Sequence, residues 1–398
     1  MSLLKRTGRA ASVIIPVSWK DLHLSLSMFG VWLCWVLATA FPTPIAYTQT
    51  NPHFNVDLHI DYTAAEQTID LFEDGFANTE SIAELRGNRL AASTAGLIAN
   101  SGSVTSRLQS SLDSLKAHQI IRDDIYHLEE GRTDVAAIKE LLGAIKKRNF
   151  SRRVSATVEQ IFPTDANVSL LIPVYIVAFG HENVDAYVRR VTWHGDDPQF
   201  GGEQDGELTI VINLAHAVRY GNDVDEKILS LLGVVAHEVF HAAFGAYKDG
   251  SPTWKRFYEK HRRPFDELLD LTQNEGIAYF LSLEQQGRGR VPRDWYPMGR
   301  EMMTTFNKNA EELLSDTLSH DRASELIRTA NLSGYRNSYG AMTGMFIARE
   351  IDLHLGRAAL IETIAAGPAD LFKKYILLSG REGGLPTLSG RIIHLFNP

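Results

Sequence analysis

The chain has 398 residues, 44% hydrophobic and 22% charged, with a formal net charge of −8. That length can bury a sizeable core, and the composition excludes a disordered, collagen-like or polytopic membrane protein. An acidic balance disfavours nucleic acid as a partner. The local basic cluster Lys146, Lys147, Arg148, Arg152 and Arg153 reads as a solvated helix end.

Residues 1–46 have the order of a secretory signal peptide. Lys5, Arg6, Arg9 and Lys20 give a basic start, Met28 to Ala40 is apolar, and small-residue sites follow at Ala38-Thr39-Ala40 and Pro44-Ile45-Ala46. The apolar run is short for a membrane span, which needs about 20 residues. Cleavage is therefore expected near Ala40 or Ala46, with an uncleaved N-terminal anchor as the alternative. Cys34 is the single cysteine; if it leaves with the signal, disulfides, thiolate ligands and a cysteine nucleophile leave with it. The expectation is an exported bacterial protein, periplasmic or secreted, with no stable membrane span after cleavage.

Residues 47–165 are expected to form a helical N-terminal region, because Ala64–Phe72, Ile82–Leu97 and Asp134–Ile145 carry apolar residues at helical spacing. A catalytic domain is expected over 166–398. It opens with two strand-like runs, Val168–Phe179 and Leu208–Leu214, the second preceded by Gly201, Gly202 and Gly206. Pro173 marks the first run as irregular or at a sheet edge. A helix is predicted from about Val224 to Lys248, with Asp223 and Glu226 at capping-box spacing. Its body, Ile228–Tyr247, is apolar on nearly every face, so it belongs in a core. Helical patterns resume at Phe265–Leu283, Met298–Leu318, Ala323–Ala330, Tyr339–Leu355 and Pro368–Leu377. The fold class is α+β, mainly helical, with a small sheet packed on the buried helix and helical regions at both ends.

Within that apolar helix stands His237-Glu238-Val239-Phe240-His241. Histidines at i and i+4 share one helix face, so both imidazoles can reach one ion, and zinc suits neutral imidazole nitrogen. Glu238 is offset around the helix, where it can take a proton from the attacking water instead of binding the metal. A chance HExxH is expected on a polar surface; three ionisable groups embedded in an apolar helix are costly without a partner. One catalytic Zn²⁺ is therefore expected. The best third ligand is Glu275, in Asn274-Glu275-Gly276-Ile277-Ala278, because its helical neighbours Leu271, Thr272, Ala278 and Tyr279 are largely apolar and a carboxylate there wants a cation. Glu267 looks solvated. Asp266, Asp270 and His261 are the rivals.

These residues resemble the gluzincins, the thermolysin-like zinc metallopeptidases, in which HExxH on one helix is completed by a glutamate on a following helix. The likeness is specific at HEVFH and NEGIA and covers about residues 205–285. It implies a zincin-like catalytic domain, a peptide or protein substrate, and hydrolysis by an activated water with Glu238 as general base. It also implies that Leu208–Leu214 is an edge strand beside the metal, on which an extended peptide could pair; an ordinary core strand is the alternative. Where some gluzincins place an aspartate to orient a histidine, four residues after the third ligand, this chain has Tyr279. More loosely, Tyr339-Gly340 through Gly344, followed by Gly367-Pro368, is similar to an uncharacterised bacterial family described as zinc-dependent peptidases. On that likeness Tyr339, opening a helix after the Gly334–Ser338 loop, is the candidate donor to the oxyanion, with Tyr335 and His354 as alternatives. A zinc hydrolase of a non-peptide amide or other small substrate, and a catalytically silent zincin-fold binding protein, are the rival functions. The intact Glu238 argues against the last.

Overall fold

The computed structural model describes residues 54–99, 104–181, 186–201, 206–331 and 338–396; the expected signal segment and Tyr335 lie outside them. Strand β1 (Phe54–Asp61) buries Phe54, Val56 and Leu58 and exposes Asn55, Asp57 and His59, the period-two alternation of a half-buried strand. Seven helices follow: α1 (Thr63–Phe72), α2 (Thr79–Glu84), α3 (Arg86–Ile98), α4 (Val104–Lys116), α5 (Leu128–Thr133), α6 (Val135–Lys147) and α7 (Phe150–Glu159). Strands β2 (Val168–Val177), β3 (Ala186–His194), β4 (Asp197–Phe200) and β5 (Glu207–Asn213) come next. After them the described chain is helical: α8 (Leu214–Ala217), α9 (Val224–Gly250), α10 (Pro252–Lys260), α11 (Pro264–Gly287), α12 (Trp295–Leu313), α13 (His320–Ala330), α14 (Tyr339–Leu355), α15 (Arg357–Ala366), α16 (Pro368–Arg381) and α17 (Gly390–Phe396).

The five strands form one mixed sheet in the order β1-β2-β5-β3-β4. β1 and β5 run parallel to β2, and β3 runs antiparallel to both β5 and β4. This corrects the edge-strand expectation for Leu208–Leu214. Ile210–Asn213 pair with Val174–Val177 on one side, while Glu207–Ile212 pair with Val191–Ala186 on the other. The physical reason is burial: Thr209, Ile210, Val211 and Ile212 are all 0% exposed, so residues facing both sides of the strand are covered, as in the middle of a layered sheet. The edges are β1 and β4. Pro173 sits inside β2, opposite His59 of β1 and just before the stretch that pairs with β5. Its missing N–H therefore falls where β2 is locally an edge.

Helix α3 covers one face of the sheet, with Gly87 against Tyr175 and Val177, and the Tyr187 hydroxyl donating to the Leu90 carbonyl at 3.4 Å. Helices α7 and α9 also pack on the sheet, and alternation along β2 turns Ile172, Val174 and Ile176 to the face away from Tyr175. Strand β1 thus comes from the segment read as a helical N-terminal region. That segment also supplies α7, which lies against both β1 and α9.

Helix α9 starts at Asp223, whose side chain accepts the Glu226 N–H at 2.8 Å. The reciprocal half is shifted by one residue, because Glu226 accepts from the Asn222 N–H at 2.9 Å. By length and apolarity alone α9 could cross a membrane; here it is a core helix. Phe162 packs its ring against Phe240, Phe244 and Tyr247 at 5.7, 6.3 and 5.8 Å. On another side α11 runs antiparallel to α9. Ser282 donates to the Gly233 carbonyl at 2.7 Å near one end of the contact, and Lys248 pairs with Asp270 near the other.

Helix α14 crosses α11 at backbone contact. A Cβ on Gly344 would overlap the Thr272 carbonyl oxygen, and one on Gly276 would overlap the Gly344 backbone. Both glycines are therefore demanded by the approach of two helix backbones. Gly344→Ala should cost about 1–3 kcal/mol by overpacking, read as a lower midpoint in denaturant unfolding. Gly245→Ala, at an exposed position of α9 with open space around it, should instead gain up to about 1 kcal/mol from helix propensity. Equal effects at the two positions would contradict the close crossing.

Candidate metal centre

The antiparallel pairing of α9 and α11 brings three side chains to one point. His237 Nε2 lies 3.0 Å from His241 Nε2, and the Glu275 carboxylate lies 3.7 and 3.4 Å from those two nitrogens. Zinc bonds of about 2.0–2.1 Å in a tetrahedron put ligand atoms about 3.3 Å apart. The three separations bracket that value, and one donor atom from each residue falls within 4.8 Å of the others. Two imidazole nitrogens and one carboxylate are a donor set that suits zinc and leaves a fourth position.

The ring nitrogens that face away from this point are also engaged. Asn274 Oδ1 lies 3.1 Å from His241 Nδ1. With Nδ1–H donating to the amide oxygen, the Nε2 lone pair is left for the ion. His237 hydrogen-bonds the backbone of Ala278 and packs edge-on against Tyr279, with ring centroids 4.5 Å apart at 75°. Asn331, at the end of α13, hydrogen-bonds the Glu275 carboxylate. Sequence reasoning missed Asn274 and Asn331. Asn274 carried a signal, as the polar residue directly beside Glu275 in the quoted motif. Asn331 carried none, because its approach depends on how α13 packs.

Electrostatics follow from burial and crowding. Burial pushes His237 down to about 3, with His241 adding to the effect. Burial also lowers His241, but Glu275 outweighs it and carries that imidazole up to about 9. Burial raises Glu275, yet the two imidazoles and Asn331 more than offset this and hold it below the usual carboxylate range. Glu238 goes the other way, pushed up to about 7 by burial, with Glu275 reinforcing and His241 opposing. The two imidazoles are thus pushed in opposite directions, His237 towards the neutral form and His241 towards the charged one.

Each rival for the third ligand is committed elsewhere. Asp270 pairs with Lys248 and accepts from the Tyr258 hydroxyl at 2.7 Å. Lys248 is itself buried, its ammonium 4.3 and 4.5 Å from the ring centres of Phe244 and Trp254. Asp266 accepts from Arg263 and faces His261 at 3.4 Å. Glu267 is exposed. The oxyanion candidates fare differently from the three clustered residues. Tyr339 is buried, its hydroxyl donates to the Leu326 carbonyl at 2.8 Å, and its ring lies against Phe306. Its one hydroxyl proton is spent there, so the expected donation to an oxyanion has no support in this arrangement. His354 sits near the far end of α14, 3.3 Å from Glu350, and Tyr335 lies outside the described residues.

A family described as "Putative zinc dependent peptidase (DUF5700)" matches residues 79–378, about three quarters of the chain. The chain belongs to this family. The match runs from α2 into α16 and so includes α9, α11 and all three clustered residues. No curated protein and no solved structure matches the chain.

The charge state of the cluster sets a test. If His241 ligates zinc its imidazole must be neutral, so binding would displace a proton there and apparent affinity should rise with pH until about 9. Calorimetric titration of zinc into the metal-free protein at pH 6.5 and pH 8 should show tighter binding at pH 8 with proton release. Glu275→Ala should weaken binding by more than about 100-fold, while Glu267→Ala should leave it unchanged. Wild-type affinity in the Glu275 variant would remove Glu275 from the ligand set.

Proposed function

We propose that this protein is a zinc-dependent peptidase, with His237, His241 and Glu275 as the metal ligands and Glu238 as the general base. The observation that carries the reading is the convergence of two imidazoles and a carboxylate at tetrahedral spacing, with a further carboxyl group on the next residue of the same buried helix. Membership of a family described in terms of zinc-dependent peptidases supports the same reading.

Zinc, when bound, polarises a carbonyl and makes a neighbouring water easier to deprotonate. Glu238 is offset about 100° around α9 from His237, so it need not compete for the ion. Partial burial leaves its carboxyl near neutrality, with a pKa of about 7. In that range a carboxylate takes a proton from water and passes it on as an acid with little penalty either way. The proton would go to the leaving amine of the cleaved peptide bond. His241 and Glu275 are each partly exposed, with 23% and 15% of their side chains reaching solvent, which gives substrate a way in. Tyr339 has no part in this reading.

Glu238→Gln separates binding from turnover. It removes the proton acceptor, keeps the shape and touches no proposed ligand. The variant should retain one zinc per chain by metal analysis and lose at least 10²-fold in hydrolysis of a mixed peptide library. Chelator should abolish the wild-type activity. Near wild-type turnover in the variant would assign the base elsewhere. Zinc loading with no cleaved peptide would favour a non-peptide amide as substrate.

A further inference from the structure

We infer that Tyr279 is a positioning residue for His237, an aromatic wall that holds this imidazole in the plane from which it can bind the ion. The inference rests on the proposed ligand role of His237. It starts from a difference between the two histidines. His241 is fixed through a side-chain amide, Asn274 Oδ1 on its Nδ1. His237 has a hydrogen bond to the Ala278 backbone. One hydrogen bond fixes the direction of a ring nitrogen and leaves the ring free to roll about that axis. The roll is what Tyr279 blocks. Its ring stands 4.5 Å from the His237 ring at 75°, the edge-to-face arrangement that aromatic rings favour. Tyr279 is 2% exposed and lies on α11, one turn beyond Glu275, so it cannot swing aside without disturbing the core.

A second consequence concerns charge. Carboxylate–histidine–metal triads raise the basicity of the ligating ring. In this site the partners found for both histidines are neutral, an amide oxygen for His241 and a peptide group with a phenol ring for His237. A charged partner is not supplied at position 279. The tyrosine contributes shape, and His237 is held by packing where His241 is held by hydrogen bonding. Orientation by a packed ring predicts that the aromatic face matters and the hydroxyl does not.

The test is a zinc competition titration against a chromogenic chelator, with Tyr279→Phe, Tyr279→Leu and the unbranched Tyr279→Met compared with wild type. Thermal unfolding of each metal-free variant checks the fold independently. The Phe variant should bind zinc as wild type does; Leu and Met should bind at least 10-fold more weakly. The same substitutions are then made in a His237→Ala background. If Tyr279 acts through His237, Tyr279→Leu adds no further loss of zinc affinity there; a general loosening of the helix pair would add its loss in both backgrounds. Wild-type affinity in both Leu and Met variants, or an equal loss in the His237→Ala background, overturns the positioning role alone. A wild-type protein that takes up no zinc overturns the ligand reading as well.

Discussion

The site depends on one constraint, the register of two antiparallel helices. Gly233 of α9 meets Ser282 of α11, His237 meets Tyr279, His241 meets Asn274, and Lys248 meets Asp270. Each step up one helix is matched by a step down the other, so the contacts describe a single alignment. Slipping it by one residue would rotate Glu275 away from both imidazoles, because successive helix residues lie about 100° apart. The polar contacts nearer the two ends, a hydroxyl on a carbonyl and a buried ion pair, fix the alignment without the ion. Breaking the ion pair from one side would strand a buried charge. The His237, His241 and Glu275 cluster sits between these two contacts.

The rest of the fold keeps that pair in place. Helix α14 reaches α11 at Gly276 and Gly344, where any side chain would push the backbones apart. Gly276 directly follows Glu275, so this close helix contact and the clustered carboxylate share one turn. On the other side, α9 rests against the sheet and against α7, with Phe162 set among Phe240, Phe244 and Tyr247. The near-uniform apolarity of α9 has its explanation here. Neighbours cover most of its circumference, and His237 and His241 in its middle face Glu275 of α11.

Short-range spacing made much of this legible in the sequence. His237 and His241 are four residues apart on one chain segment, and the apolar setting of Glu275 distinguished it from Glu267. Helix periodicity carries both arguments, while Asp266 and Asp270 stay rivals in the sequence until the fold commits them to Arg263 and Lys248. Strand order needs long-range pairing. Leu208–Leu214 reads the same whether its neighbours are one strand or two, and β5 proved interior because β3 returns antiparallel beside it. β1 was readable from the alternation in Phe54–Asp61, but the helical patterns that follow it drew the whole segment into a helical reading. Tyr339 shows another limit. A tyrosine at a loop-to-helix junction looks alike whether its hydroxyl faces a substrate or the carbonyl of Leu326, and the packing of α13 against α14 decides. The Tyr279 position looked like a gap when judged by charge. In the fold it is filled by ring packing.

Zinc-edge X-ray absorption on the loaded, full-length protein tests the central claim most directly, because it reads the ligand atoms themselves. The account predicts about two imidazole nitrogens and one or two oxygens at about 2.0–2.2 Å, with the characteristic outer-shell scattering of two histidine rings and no sulfur. His237→Ala should remove one ring from that signal. A spectrum without histidine scattering, or one unchanged by loss of His237, would contradict a metal held between α9 and α11.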